Sequence, residues 1–169
     1  MNDGVPSGSP PLVVGLGSPD RGDDAVGPHI VRRVAELQID GVDVATHEDP
    51  TALVELWRNR GLVIVVDAVL TGAAAGEVTV LEAGRDRDPI PESAWSDTGR
   101  GGTHAFGLAA AIELARALNS LPERVVVVGV EAECFDHGAP LSAAVSAAVD
   151  DVVDTVREIA AKIPLRSDA

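Results

Sequence analysis

Aromatic residues are scarce in this chain, whose 169 residues include two Trp, two Phe and no Tyr. Proteins that bind single-stranded nucleic acid stack the bases on aromatic side chains, so this composition argues against that mode of binding. Positive charge is scarce too, with 13 Lys and Arg against 27 Asp and Glu and a formal net charge of −14. Because such a surface repels phosphate backbones and anionic lipid, we expect neither nucleic acid nor a membrane as a partner.

Cysteine and long apolar runs are lacking as well. Cys134 is the only cysteine, so the chain cannot form an internal disulfide, and we interpret Cys134 as structural because no base is predictably paired with it. No apolar run approaches the roughly 20 residues that a membrane-spanning helix needs. The N-terminus has no basic start followed by an apolar run, as a secretion signal would. The expected location is the cytoplasm.

Apolar residues make up 46% of the chain and occur in segments that alternate between strand-like and helix-like spacing. This alternation predicts a single α/β domain with a mainly parallel five-stranded sheet and helices on both faces. The domain is expected to span residues 11–163, between a flexible lead-in at 1–10 and a C-terminal tail at 164–169. Strands are predicted at 11–16, 42–46, 62–66, 76–81 and 124–130, and helices at 26–37, 49–58, 103–118 and 142–162.

The most informative segment follows the first predicted strand, where a glycine turn after Gly15 leads to the adjacent carboxylates Asp23 and Asp24. The turn does not fit a dinucleotide fingerprint, because Asp20 stands at the third glycine position and the later carboxylates would repel a phosphate. Clustered carboxylates instead suit a divalent cation. The alternative is that Asp23 caps the first helix and Asp24 interacts with its positive end.

Three further residues belong to the same edge of the predicted sheet. Glu48 follows the second strand, Asp67 closes the third, and His104 begins a helix after a long polar stretch at 84–102. Because ligands collect beyond the carboxyl ends of parallel strands, these residues and Asp24 are expected on one rim. Two carboxylates and one imidazole would form an open transition-metal site. Each residue also has an ordinary interpretation, as a cap for loop amides or as part of a charged surface.

Four ordered blocks of the chain resemble the hydrogenase maturation proteases, the endopeptidases that trim the C-terminus of the nickel-iron hydrogenase large-subunit precursor. The resemblance runs from residue 11 to about residue 156. The blocks are Gly15-Leu16-Gly17-Ser18 with Gly22-Asp23-Asp24-Ala25-Val26-Gly27, Val65-Val66-Asp67-Ala68, Thr103-His104-x-x-Gly107-Leu108, and Val128-Gly129-Val130-Glu131 with Pro140-Leu141-Ser142.

This resemblance implies an endopeptidase in which Asp24, Asp67 and His104 contact metal and carry the catalysis, with Glu48 in the substrate cleft. The nickel would arrive with the precursor, which is the implied partner, and no organic cofactor is implied. The chain departs from the family pattern at Ser18, where Asn is frequent, at Asp24, where Glu is frequent, and at Asp49-Pro50-Thr51, where Gly-Gly-Thr is frequent.

Two other functions stay open on the sequence alone. A peptidyl-tRNA hydrolase also begins with a strand and a Gly-x-Gly turn, but it needs a cationic surface for RNA, which the net charge of −14 opposes. A non-catalytic nickel-binding assembly chaperone would use the same carboxylate and histidine rim. The residues themselves do not separate such a chaperone from a protease.

Overall fold

The computed structural model describes residues 9–91, 94 and 103–162, without the side chains of residues 103–106. Most of the predicted lead-in, most of the polar stretch at 84–102 and the predicted tail lie outside this part. The strands are β1 (Leu12–Leu16), β2 (Asp43–His47), β3 (Leu62–Val69), β4 (Val78–Ala83) and β5 (Arg124–Glu131), and the α-helices are α1 (Val26–Glu36), α2 (Leu53–Leu56), α3 (Thr103–Ala117) and α4 (Ala143–Ala161).

The five described strands form one sheet in the order β2-β1-β3-β5-β4. The predicted single α/β domain with a five-stranded sheet is confirmed, and the sheet is mixed, because β4 runs antiparallel to β5 at the edge. A parallel strand needs a crossover of about a dozen residues or more. The connection from Val69 to Val78 is shorter than that, which favours the reversed direction of β4.

The side chains of the central strands alternate between two helical layers, since successive residues of a strand point to opposite faces. Helices lie on both faces, as predicted, with α1 and α4 on one and α2 and α3 on the other. Both faces are therefore buried, which explains the continuous apolar runs of β3 and β5. None of the helices in the described ranges has the length and apolar character to cross a membrane. Residues facing α1 and α4 include Ile64, Val66, Val126 and Val128, and those facing α2 and α3 include Val63, Val65, Val125 and Val127.

Strand β3 is longer than its apolar run predicts. It continues through Asp67 to Val69 because β5 runs beside it as far as Glu131, whereas β1 pairs with it only up to Val66. The prediction that Asp67 closes the third strand is therefore wrong in this detail. Asp67 lies inside β3, at the first position beyond the pairing with β1.

The second helix starts where the sequence predicts but is shorter. Asp49 caps a 3₁₀ turn at Pro50–Ala52, with its carboxylate accepting a hydrogen bond from the Thr51 amide at 2.9 Å, and α2 adds one α-helical turn. Helix α3 packs closely on this turn, since a Cβ at Gly107 would lie 3.0 Å from Pro50 Cγ. The start of α3 is thereby held near the end of β2.

Candidate active site

The glycine turn after β1 allows α1 to begin directly against the sheet. A Cβ at Gly15 would lie 2.4 Å from the Gly27 carbonyl oxygen, and a Cβ at Gly27 would lie 2.3 Å from that of Leu16. Gly17 has a φ of +128°, and a Cβ there would lie 1.9 Å from the Asp24 carbonyl oxygen. L-residues with a side chain rarely adopt this conformation. These glycines therefore permit close packing of the backbone around Asp24.

Asp24 is buried, with 2% of its surface exposed, in the 3₁₀ turn that precedes α1. Its carboxylate accepts a hydrogen bond from the Ser18 amide at 2.9 Å, which holds it beneath the glycine turn. The same 3₁₀ turn contacts β3, the strand that carries Asp67. The turn that carries Asp24 therefore lies beside the strand that carries Asp67.

Asp67 is also buried, with 1% of its surface exposed. It is two residues beyond Val65, so its side chain points to the α3 side of the sheet, and its register partner on β5 is Gly129. Burying carboxylates in a chain of net charge −14 opposes folding unless polar groups or a cation compensate for the lost hydration. Hard oxygen donors held in this way suit a divalent metal ion.

His104 is the second residue of α3, and its imidazole lies outside the described part of the structure. The backbone places it one helical turn before Gly107, which packs against Pro50. Among the side chains that the structure does describe, no group of three or more His, Cys, Asp or Glu is arranged to hold a metal ion. The predicted triad falls outside that search because its third member is His104.

Glu48 is exposed and follows β2. This strand is at the edge of the sheet and is separated from β3 by β1. The preceding residue, His47, is in register with Leu16 and accepts a hydrogen bond from the Gly17 amide at 3.1 Å. Glu48 therefore lies beside the glycine turn, at the edge of the rim. The structure places it farther out than the two buried aspartates.

The role of Asp23 differs from the capping role considered in the sequence. Its carboxylate is fully buried and accepts hydrogen bonds from the amides of Glu133 at 2.9 Å, Cys134 at 3.1 Å and Ser142 at 2.7 Å. The capping alternative for Asp23 is wrong, since these amides belong to the loop between β5 and α4 rather than to α1. Cys134 is a free, partly exposed thiol in that loop.

Glu131, at the end of β5, is a buried carboxylate with a role that sequence reasoning did not assign. It accepts hydrogen bonds from the Thr71 amide at 2.9 Å, the Thr71 hydroxyl at 2.8 Å and the Gly72 amide at 3.1 Å. The signal in the sequence was a lone carboxylate at the end of a very apolar strand. Glu131 thereby fixes the loop that follows β3.

Together these elements define an α/β protein with a buried acidic centre at the carboxyl end of its sheet. The model of the HycI hydrogenase maturation protease family matches residues 39–159, a range that contains Glu48, Asp67 and His104 and begins after Asp24. The chain belongs to the hydrogenase maturation protease family. The resemblance drawn from the four sequence blocks is thereby confirmed.

Several solved structures share the fold. The hydrogenase maturating endopeptidase HybD from E. coli matches with a TM-score of 0.72 and 24% identity, over 89% of this chain and 91% of that one. The [NiFe] hydrogenase maturation protease HybD from Thermococcus kodakarensis has a TM-score of 0.68 and 21% identity, over 89% and 99%. The hydrogenase 2 maturation peptidase from Thaumarchaeota archaeon SCGC_AB-539-E09 has a TM-score of 0.64 and 25% identity, over 89% and 97%. No curated protein matches the chain significantly.

Proposed function

We propose that this protein is the endopeptidase that removes the C-terminal extension from the nickel-loaded precursor of a nickel-iron hydrogenase large subunit. Membership of the family supports a protease that acts in hydrogenase maturation. The observation that carries the proposal is the burial of Asp24, in the turn that contacts β3, and of Asp67, inside β3, since carboxylates favour a cation. The nickel is part of the substrate, and no organic cofactor takes part.

Recognition of the precursor rests on three residues in this proposal. Asp24 and Asp67 offer carboxylate oxygens and His104 offers an imidazole, a donor set that suits nickel. These side chains complete the coordination of nickel already inserted in the precursor. Glu48, exposed beside the glycine turn, lines the outer part of the substrate cleft. A precursor without nickel lacks the group that the site recognises.

Hydrolysis then follows from the position of the bound precursor. Holding the nickel at the aspartates places the peptide bond beyond the nickel ligands in the cleft, and such positioning supplies much of the rate enhancement of an enzyme. A water molecule attacks the carbonyl carbon while a site carboxylate accepts its proton, the C–N bond breaks, and the leaving amine takes a proton. The released products are the mature large subunit and the free extension.

The test is the mass of a purified nickel-loaded precursor before and after incubation with this protein. The wild type is expected to shorten the nickel-loaded precursor and to leave a nickel-free precursor intact. Asp67→Ala and His104→Ala are expected to remove cleavage while circular dichroism shows a folded protein. Asp150→Ala is the matched control, because it removes a carboxylate that is exposed on α4, and it is expected to cleave normally.

Normal processing by both site variants would contradict the assigned roles. A wild type that binds the nickel-loaded precursor and leaves its mass unchanged would instead support the assembly chaperone, which shares the acidic rim and performs no hydrolysis. The same experiment therefore separates the two functions.

A further inference from the structure

A groove opens on the α3 side of the sheet, between the ends of β3 and β5 and the start of β4. The accessible space inside it is about 30 Å³, far below the roughly 300–1,000 Å³ of pockets that enclose a whole small-molecule ligand. Its lining includes Val69, Leu70, Thr71, Thr79, Leu81 and Gly129.

The groove begins beside the candidate active centre. Gly129, which lines it, is the register partner of Asp67 on β5. Val69, which also lines it, is two residues beyond Asp67 and points to the same face of the sheet. A chain held at Asp67 therefore reaches the groove without crossing another strand.

The chemistry of the groove differs from that of the rim. Its described lining is aliphatic apart from the hydroxyl groups of Thr71 and Thr79, and none of these lining residues is ionisable. In a chain of net charge −14, an uncharged recess next to buried aspartates suits an apolar side chain rather than a metal ion or an anion.

The walls of the groove are fixed before anything binds. Glu131 holds the loop of Thr71 and Gly72 through both backbone amides and the Thr71 hydroxyl. The floor is closely packed, since a Cβ at Gly129 would lie 3.0 Å from a methyl group of Val69. Binding to such a preformed recess avoids the cost of ordering a loop.

We propose that this groove binds an apolar side chain of the extension that the protease removes, close to the scissile bond. The inference rests on the proposed function, because the nickel and the retained part of the precursor occupy the aspartates. The chain beyond the scissile bond leaves the metal, and the groove adjoins Asp67. An aliphatic or methionine side chain fits the lining, and a charged one does not.

Two neighbouring positions on β4 provide a matched pair of variants. Thr79 is exposed and lines the groove, whereas Val80, 46% exposed, points to the opposite face. Tryptophan is well tolerated in strands. Thr79→Trp fills the groove and is expected to lower kcat/KM for the nickel-loaded precursor by roughly tenfold or more, mainly through KM. Val80→Trp is expected to stay within about twofold of the wild type.

A change in the substrate, combined with Thr79→Trp, forms a double-mutant cycle. Replacing the apolar residue of the extension nearest the cut by Asp is expected to cause a similar loss with the wild type and little further loss with Thr79→Trp, because both changes remove one contact. Equal cleavage by Thr79→Trp and Val80→Trp, or full additivity of the two changes, would overturn the groove assignment.

A labelled peptide with the sequence of the extension tests the groove without catalysis. Fluorescence anisotropy is expected to show binding to the wild type and to Val80→Trp, and binding roughly tenfold weaker to Thr79→Trp. Such selective binding with no cleavage of any precursor would overturn the proposed function and retain the groove. Cleavage of the precursor with no difference in peptide binding between the variants would retain the proposed function and overturn the groove.

Discussion

The two faces of the sheet are covered in different ways. On one face α4, a helix of 19 residues, and α1 pack on the strands through a continuous set of buried valines and isoleucine. On the other face the strands are covered by α3 and by α2, which has only four residues, and this face carries Asp67 and the groove beside it. One face is thus formed by a closely packed apolar layer, while the other combines apolar packing with a buried carboxylate and an open groove.

The loops at the carboxyl end show the same contrast between adjacent residues. Asp23 accepts three backbone hydrogen bonds from the loop that leads to α4, whereas Asp24 is held below the glycine turn next to β3. Residues that are neighbours in sequence, within one 3₁₀ turn, thus bind different segments of the chain.

The largest expected effect is a loss of cleavage when Asp67 is changed, on the face of the sheet that carries the groove. Asp67→Asn keeps the shape of the side chain and removes its negative charge, so cleavage of the nickel-loaded precursor should fall roughly a hundredfold or more. The melting temperature should change by only a few degrees, since a buried charge is lost together with its desolvation cost. Precursor mass and thermal melting measure the two quantities. Cleavage within about threefold of the wild type would remove Asp67 from the site.

The next effect concerns Asp23. Asp23→Asn leaves one acceptor oxygen for three amides and places an NH₂ group among donors, so we expect a loss of about 3 kcal/mol in the free energy of unfolding. Cleavage by the folded fraction should stay within about threefold of the wild type. Urea denaturation with a parallel cleavage assay checks this. A stable variant with no cleavage would show that Asp23 belongs to the site rather than to the fold.

A smaller loss of stability is expected from a change in the layer formed by α1 and α4. Val152 is fully buried on α4, and Val152→Ala removes about two methylene equivalents and leaves a cavity, at a cost of about 2 kcal/mol. Because α4 packs on the face away from Asp67, kcat/KM per folded molecule should not change. A parallel fall in kcat/KM would mean that the two faces are coupled.

The smallest effect is a pH dependence at the sheet edge. The hydrogen bond from Arg124 holds the pKa of Glu82 below its usual value of 4.5. Such a depressed pKa contributes stability above about pH 4.5, and the contribution disappears as pH falls through the pKa of the folded state. At pH 7 the free energy of unfolding of Glu82→Gln should therefore be lower than that of the wild type by less than about 1 kcal/mol. At low pH the two proteins should be equally stable. A difference that grows on acidification would contradict this sign.

Much of the fold follows from local patterns in the sequence. Apolar runs such as the one at Leu62–Val66 predicted the strands, and the predicted helix starts at 49 and 142 coincide with the caps of the turn before α2 and of α4. The carboxyl-end rule also predicted Asp24 and Asp67 at one rim, and in the structure the turn that carries Asp24 contacts β3, which carries Asp67. These features depend on residues close in the chain or on a general property of parallel sheets.

The remaining features depend on contacts between distant segments, which leave no periodic signal. The extension of β3 past Asp67 is set by its pairing with β5, and the direction of β4 is set by a short connection. The partners of Asp23 lie 110 or more residues away, and those of Glu131 about 60 away. The metal-binding roles of Asp24, Asp67 and His104 stay predictions, as does the role of Glu48.

The bonds of Asp23 have a consequence for synthesis on the ribosome. The amides that bind its carboxylate belong to the loop after β5 and to the residue that caps the final helix, so an emerging chain cannot complete these bonds until Ser142 has been translated. Closing a segment of this length is slow relative to forming local helices. Truncation before Ser142 therefore removes at least one of these bonds.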